Sequence, residues 1–144
     1  MKKYLLIICT LSFSCQSTIN LNSQCDCFQT ILNMTNEIYS EEDRATENMW
    51  GSNLMIASYL ATEKLVNKIG WESLVNKCWS GKAPMKKNDF PKSIALSERE
   101  KRRWGRRFLE ELLGFCSNEN QEKYESIMES IKKKNEDLMK DKNK

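Results

Sequence analysis

At 144 residues the chain is the size of one domain, and 5 Gly and 2 Pro against 30% charged residues exclude a turn-rich all-β fold. The formal charge of +3 falls to +1 once Lys2 and Lys3 are assigned to a leader, leaving 21 basic against 20 acidic residues, so nucleic acid is not an expected partner. Histidine is missing, which removes the usual general base and the commonest metal ligand together.

The chain opens on a short positive stretch, Met1-Lys2-Lys3, followed by ten mostly apolar residues from Tyr4 to Phe13. Ten residues fall well short of the roughly 20 needed to cross a bilayer, so the segment reads as a cleavable leader. Ser14 and Cys15 come next. This arrangement resembles the signal of a bacterial lipoprotein, in the loose form of the Bacteroidota, with Ser12 where a strict motif has Leu. The resemblance implies cleavage before Cys15, acylation of Cys15 as a lipid anchor, and a place in the outer membrane or periplasm. Gln16 after the cysteine implies outer-membrane sorting. Ser12 and Ser14 also satisfy the small-x-small rule for ordinary secretory cleavage at the same bond. The expected division is a signal peptide over 1–14, a polar tether over 15–22 and a helical domain over 23–144.

Ser23 opens the first predicted helix, with Asp26 three residues on to complete a capping pattern. Phe28, Ile31, Leu32, Thr35, Ile38 and Tyr39 then recur at helical spacing. Ser40 and Asp43 repeat the cap for a long second helix reaching Ile69, with Gly70 placed to end it. Its stretch from Leu54 to Ala61 is apolar nearly all round, which marks the most buried element. Trp71, Leu74, Val75, Cys78 and Trp79 form the face of a short third helix closed by Ser80-Gly81. Ser97 and Glu100 cap a fourth, to about Cys116, with Trp104, Phe108, Leu112 and Phe115 on one face and Leu109 and Leu113 widening it. The last helix starts near Asn120, carries Tyr124, Ile127, Met128, Ile131 and Leu138, and frays into a lysine-rich tail. The expected fold is all-α, a bundle of four to five helices braced by disulfides.

Of the six cysteines, Cys9 leaves with the leader and an acylated Cys15 leaves Cys25, Cys27, Cys78 and Cys116. Four is an even number, suited to two disulfides in an oxidising compartment, whereas plain secretion leaves five. Cys25 and Cys27 lie about 200° apart around a helix, so they should find different partners, Cys78 or Cys116 in either order. Cys-x-Cys followed by distant single cysteines is not the paired knuckle of structural zinc, so no metal is expected.

Two features could carry binding. Arg99, Lys101, Arg102, Arg103, Arg106 and Arg107 place six cations in nine residues, and such a run with Trp104 could dock anionic groups. It also fits the solvated back of a helix, since Arg106–Glu110 and Arg107–Glu111 are i, i+4 pairs and Trp104 shares a face with Phe108. Cations in a first turn oppose the helix dipole, which the solvated-back reading leaves unexplained. The aperiodic stretch from Gly81 to Leu96 holds both prolines, four lysines and the exposed-looking Met85 and Phe90, and long loops in compact domains are often functional. The expected partner surface is therefore Met85, Lys86, Lys87 and Phe90 with Arg99, Arg102, Arg103 and Arg106.

Catalytic residues are not expected. Gly81-Lys82 lacks the other elements of a phosphate loop. Ser130 and Lys133 match Ser-x-x-Lys without its companion motifs, and no nucleophile–base pair is visible. The reading is a non-enzymatic envelope lipoprotein, without cofactor, that binds another protein as an assembly factor or an immunity-type inhibitor. The alternative is a carrier of a lipid or other hydrophobic ligand between its helices, for which four Trp and seven Met make an adaptable interior.

Overall fold

The computed structural model describes residues 19, 21–40, 51–82 and 90–142. They form five α-helices and one 3-10 turn: α1 Gln24–Ile38, α2 Ser52–Ile69, α3 Trp71–Cys78, the 3-10 turn Ser93–Ala95, α4 Glu98–Glu119 and α5 Gln121–Lys142. The expected all-α bundle is what the chain builds, with no strand among the described residues.

Local signals set the helix ends. The Ser23 hydroxyl accepts the Asp26 backbone N–H at 3.1 Å, so α1 begins where its cap predicts. Ser97 and Glu100 form a full reciprocal capping box at the start of α4, with the Ser97 N–H reaching the Glu100 carboxylate at 2.9 Å. Asn120 caps α5 through the Lys123 N–H at 3.0 Å. Gly70, at φ 84°, ends α2 and starts α3 in one residue, a conformation that a Cβ would resist. Ser80 and Gly81 close α3, both at positive φ.

Two boundaries differ from expectation, and a third falls outside the described residues. The continuous second helix does not hold, because Gly51 is extended (φ −68°, ψ 168°) and α2 starts at Ser52. Glycine carries a backbone entropy cost in a helix, and here the helix breaks at it. The cap expected of Ser40 with Asp43 is not described, because residues 41–50 lie outside the described residues. α5 stays helical through Lys142 rather than fraying from Lys140.

The core forms where α1, α2 and α4 pack on one another, with α3 against α1 and α2, and α5 along α4. Phe28, Ile31, Leu32 and Thr35 from α1 are buried, as are Leu54, Met55, Tyr59 and Leu65 from α2 and Phe108, Leu109 and Leu112 from α4. Each fully buried aliphatic or aromatic side chain contributes about 1.5–3 kcal/mol relative to exposure. The buried hydroxyls of Thr35, Ser58 and Thr62 bond to carbonyls of their own helices at 2.7, 3.2 and 2.8 Å, so they enter the core without an orphaned donor. Ile38 and Phe115, both expected on buried faces, are 37% and 39% exposed.

Two disulfides brace this core. Cys25 bonds Cys116 and Cys27 bonds Cys78, so the two cysteines of α1 do take different partners. The bonds tie the start of α1 to the end of α4 and to the end of α3. With sequence separations of 91 and 51, each constrains the unfolded chain by about 4–5 kcal/mol in the chain-entropy model. At the same end Lys123 donates to the Asp26 carboxylate and fastens the first turn of α5 to α1. That hydrogen bond is the main reason the Asp26 carboxyl sits below its usual range, against a smaller opposing effect of burial.

Candidate functional site

The strongest surface feature lies where the first turns of α4 meet the first turn of α2. Arg99, Arg102, Arg103 and Arg106 fall within a sector of about 100° and span two turns, about 10 Å along the axis. They form one wall of an open groove of about 540 Å³, with Ser52 and Met55 of α2 on the other. Met55 is 4% exposed and gives the groove an apolar edge.

A glycine brings the walls together. A Cβ on Gly105 would stand 1.8 Å from the Met55 carbonyl oxygen and 2.7 Å from Ser58 Oγ, so only a residue without a side chain lets α4 cross α2 this closely. Arg102 Nη1 then donates to Ser52 Oγ at 2.9 Å across the groove. Since Gly105 lies one residue before Arg106 and two after Arg103, the close crossing fixes the arginines relative to α2.

The charges are only partly neutralised. Arg106 pairs with Glu110 at 3.3 Å and Arg107 with Glu111 at 3.0 Å, both exposed pairs of the kind that contribute little. Among the described residues, Arg99, Arg102 and Arg103 form no ion pair within salt-bridge distance. Glu100 also lines the groove, but its carboxylate is engaged by the Ser97 N–H and hydroxyl. Those two hydrogen bonds, the backbone one first, hold its carboxyl below the usual range. Among the lining residues four guanidinium groups face one carboxylate, a local charge of +3 that falls to +2 when Glu110, paired with Arg106, is counted. Glu98 and Glu100 in the first turn of α4 offset part of the conflict between these cations and the helix dipole.

Behind the groove stands an aromatic cluster. Phe108 packs against Tyr59, Trp71, Trp79, Phe90 and Trp104 at ring-centroid distances of 5.7–6.3 Å. Trp104 is half-buried, its ring against Phe108 and its outer part flanked by the Arg103 and Arg107 guanidinium groups, 5.2 and 5.6 Å from the ring centre. Such contacts contribute about 0.5–1 kcal/mol at exposed sites and also hold the arginine stems in place. The Tyr59 hydroxyl donates to the Pro91 carbonyl, and the Glu63 carboxylate accepts the Ser93 N–H at 2.6 Å, which docks residues 90–96 on α2. Burial, with the Glu63 charge second, pushes the Tyr59 phenol above its ordinary value, so it remains a donor.

The expected partner surface is therefore only partly brought together. Arg99, Arg102, Arg103 and Arg106 share the groove; Arg107, outside the expected surface, does not line it. Phe90 is partly buried rather than fully exposed: it stacks on Tyr59 at 5.2 Å and packs at a tilt against Trp71 at 5.0 Å. Aromatic burial outweighs the polar character of the loop around it. Met85, Lys86, Lys87 and Cys15 lie outside the described residues. Ser52, Met55 and Gly105 were not singled out in the sequence. A lone glycine inside a helical pattern is the one signal that could have pointed to the crossing.

Among the described residues no helix is long and apolar enough to cross a membrane, and no group of three or more metal-capable side chains gathers. Comparison with protein-family models, curated proteins and solved structures finds no match.

Proposed function

We propose that the chain is an exported lipoprotein of the cell envelope, anchored through an acylated Cys15 at the outer membrane or in the periplasm, whose helical domain is non-enzymatic and binds another protein. The observation that carries this reading is the pairing of Cys25 with Cys116 and Cys27 with Cys78. Two disulfides in a small helical domain suit an oxidising compartment. They also account for every cysteine after the leader except Cys15, which leaves that one for the lipid. The basic groove on α2 and α4 supports binding rather than catalysis, since it gathers cations and no base or nucleophile pair.

The test is the intact mass of the mature protein from native membranes, before and after reduction and alkylation. The expected result is a chain starting at Cys15 with acyl groups, and four alkylation sites that open only on reduction. A soluble, unacylated chain with free thiols overturns both the anchor and the compartment. Hydrolase activity in the purified protein, lost on a single polar substitution, overturns the non-enzymatic reading.

A further inference from the structure

The groove has a length, a charge pattern and a position, and together they select among anionic ligands. Arg99 and Arg106 are separated by about 10 Å along α4, roughly two helical turns. A single phosphate or carboxylate cannot engage both, whereas a chain carrying several anions at intervals of 5–7 Å can. Carboxylates on one face of a helix recur at about 5–6 Å, and those on one side of an extended strand at about 6.5 Å. The planar guanidinium fork matches a carboxylate in bidentate fashion, and four of them stand in one sector.

The groove is also not uniformly basic. Glu100 sits among the arginines, Met55 supplies an apolar edge, and the Arg102–Ser52 hydrogen bond gives one wall a neutral polar patch. A mixed surface of this kind fits a folded or extended peptide better than the repeated phosphates of a polyanion. Arg103 is additionally held over Trp104, so part of its ordering cost is met before any partner arrives.

Position separates protein from lipid. Cys116 is bonded to Cys25, next to the tether proposed above, and Arg102 lies 14 residues earlier on the same helix. That spacing is about 21 Å along a straight α4. Arg102 is thus about 21 Å along α4 from the disulfide that fixes the start of α1, a placement that favours a partner approaching away from the N-terminal segment.

We propose that this groove binds an acidic peptide segment of another protein, with at least two of its carboxylates distributed along Arg99, Arg102, Arg103 and Arg106. The proposal deepens the protein-binding reading and rests on it for the direction in which the groove faces. The binding chemistry itself does not depend on the anchor.

The experiment is a titration of the purified full chain in solution with a fluorescent hexaglutamate peptide, at low and at physiological salt. Vesicles of phosphatidylglycerol and inorganic phosphate serve as competitors. The groove variant carries Arg102→Glu, Arg103→Glu and Arg106→Glu; a charge-matched variant carries Lys132→Glu, Lys133→Glu and Lys134→Glu on α5. The expected result is peptide binding that weakens tenfold or more in the groove variant, less than threefold in the α5 variant, and yields little to phosphate. Circular dichroism monitors folding, and a neutral variant with Arg99→Gln and Arg106→Gln, expected to weaken binding about threefold or more, replaces the groove variant if reversal unfolds it. Equal weakening in the groove and α5 variants makes binding a matter of net charge and overturns the proposal. So does groove-dependent binding to vesicles that the peptide does not compete for, or no peptide binding at low salt. An unacylated Cys15 overturns the anchor while leaving the titration outcome standing, so the two readings fail separately.

Discussion

The two ends of α4 are held by different physics. At its C-terminal end Cys116 is covalently tied to α1, Cys27 ties α1 in turn to α3, and Lys123 fastens α5 to the same turn. At its N-terminal end no disulfide lies among the described residues, and α4 meets α2 through the close approach at Gly105 and a hydrogen bond from Arg102 to Ser52. The first arrangement constrains the unfolded chain; the second depends on shape in the folded one. The cations therefore stand at the end whose position rests on close packing, and the covalent links stand at the other.

The largest break in this comparison comes from the cross-linked end. Replacing Cys27 and Cys78 together by Ala should cost about 4 kcal/mol, on the order of 10–15 °C in melting temperature, as read by thermal unfolding without reductant. If the double variant melts with the parent, the bond does not brace the domain. The shape-held end should be next. Gly105→Ala gains helix propensity of about 1 kcal/mol but must push the Met55 carbonyl away, and a net loss of about 1–3 kcal/mol is expected in urea unfolding. A stabilised variant would mean that the two helices do not cross so closely. Ser97→Ala removes the cap on the arginine-bearing turns and should cost about 1 kcal/mol, with the Arg102–Ser52 contact loosened in parallel.

The smallest effect is one of pH. Asp26 has a folded pKa below its ordinary value of 3.8, so the stability from its bond to Lys123 is fully present above about pH 4–5. It is lost as the pH falls through the depressed folded value. Asp26→Asn should therefore lower stability by about 1 kcal/mol or less at pH 7, and the difference from the parent should close in strong acid. A difference that widens on acidification would reverse the assigned sign.

The divergence of the cross-links and the ends of the helices were legible in the sequence, and the packing at the shape-held end was not. Two cysteines about 200° apart on one helix had to diverge, and the caps at Ser23 and Ser97 and the stop at Gly70 are local chemistry that no tertiary contact has to supply. Which cysteine met which was not readable, since both Cys78 and Cys116 close their helices. The edge of the α4 stripe was misjudged at Phe115. Cys116 is drawn into the core by its bond, and neighbouring residues on a helix are about 100° apart, so Phe115 is turned toward solvent. Phe90 erred in the other direction, because a polar loop gives no hint of an aromatic cluster assembled from α2, α3 and α4. For the groove, the arginines were visible as a run, but their opposite wall comes from residues about fifty positions earlier in the chain. Only the Gly105 crossing makes Ser52 and Met55 their neighbours.

The placement of both disulfides on the first turn of α1 also determines how the domain bears load. A pull on the chain ahead of residue 25 passes at Cys25 through a sulfur–sulfur bond into α4 and at Cys27 into α3. The apolar contacts of α1 are therefore in parallel with covalent links rather than in series with them. Tension between the N-terminal segment and anything gripping α4 can rise to the strength of those bonds before α1 is peeled from the core.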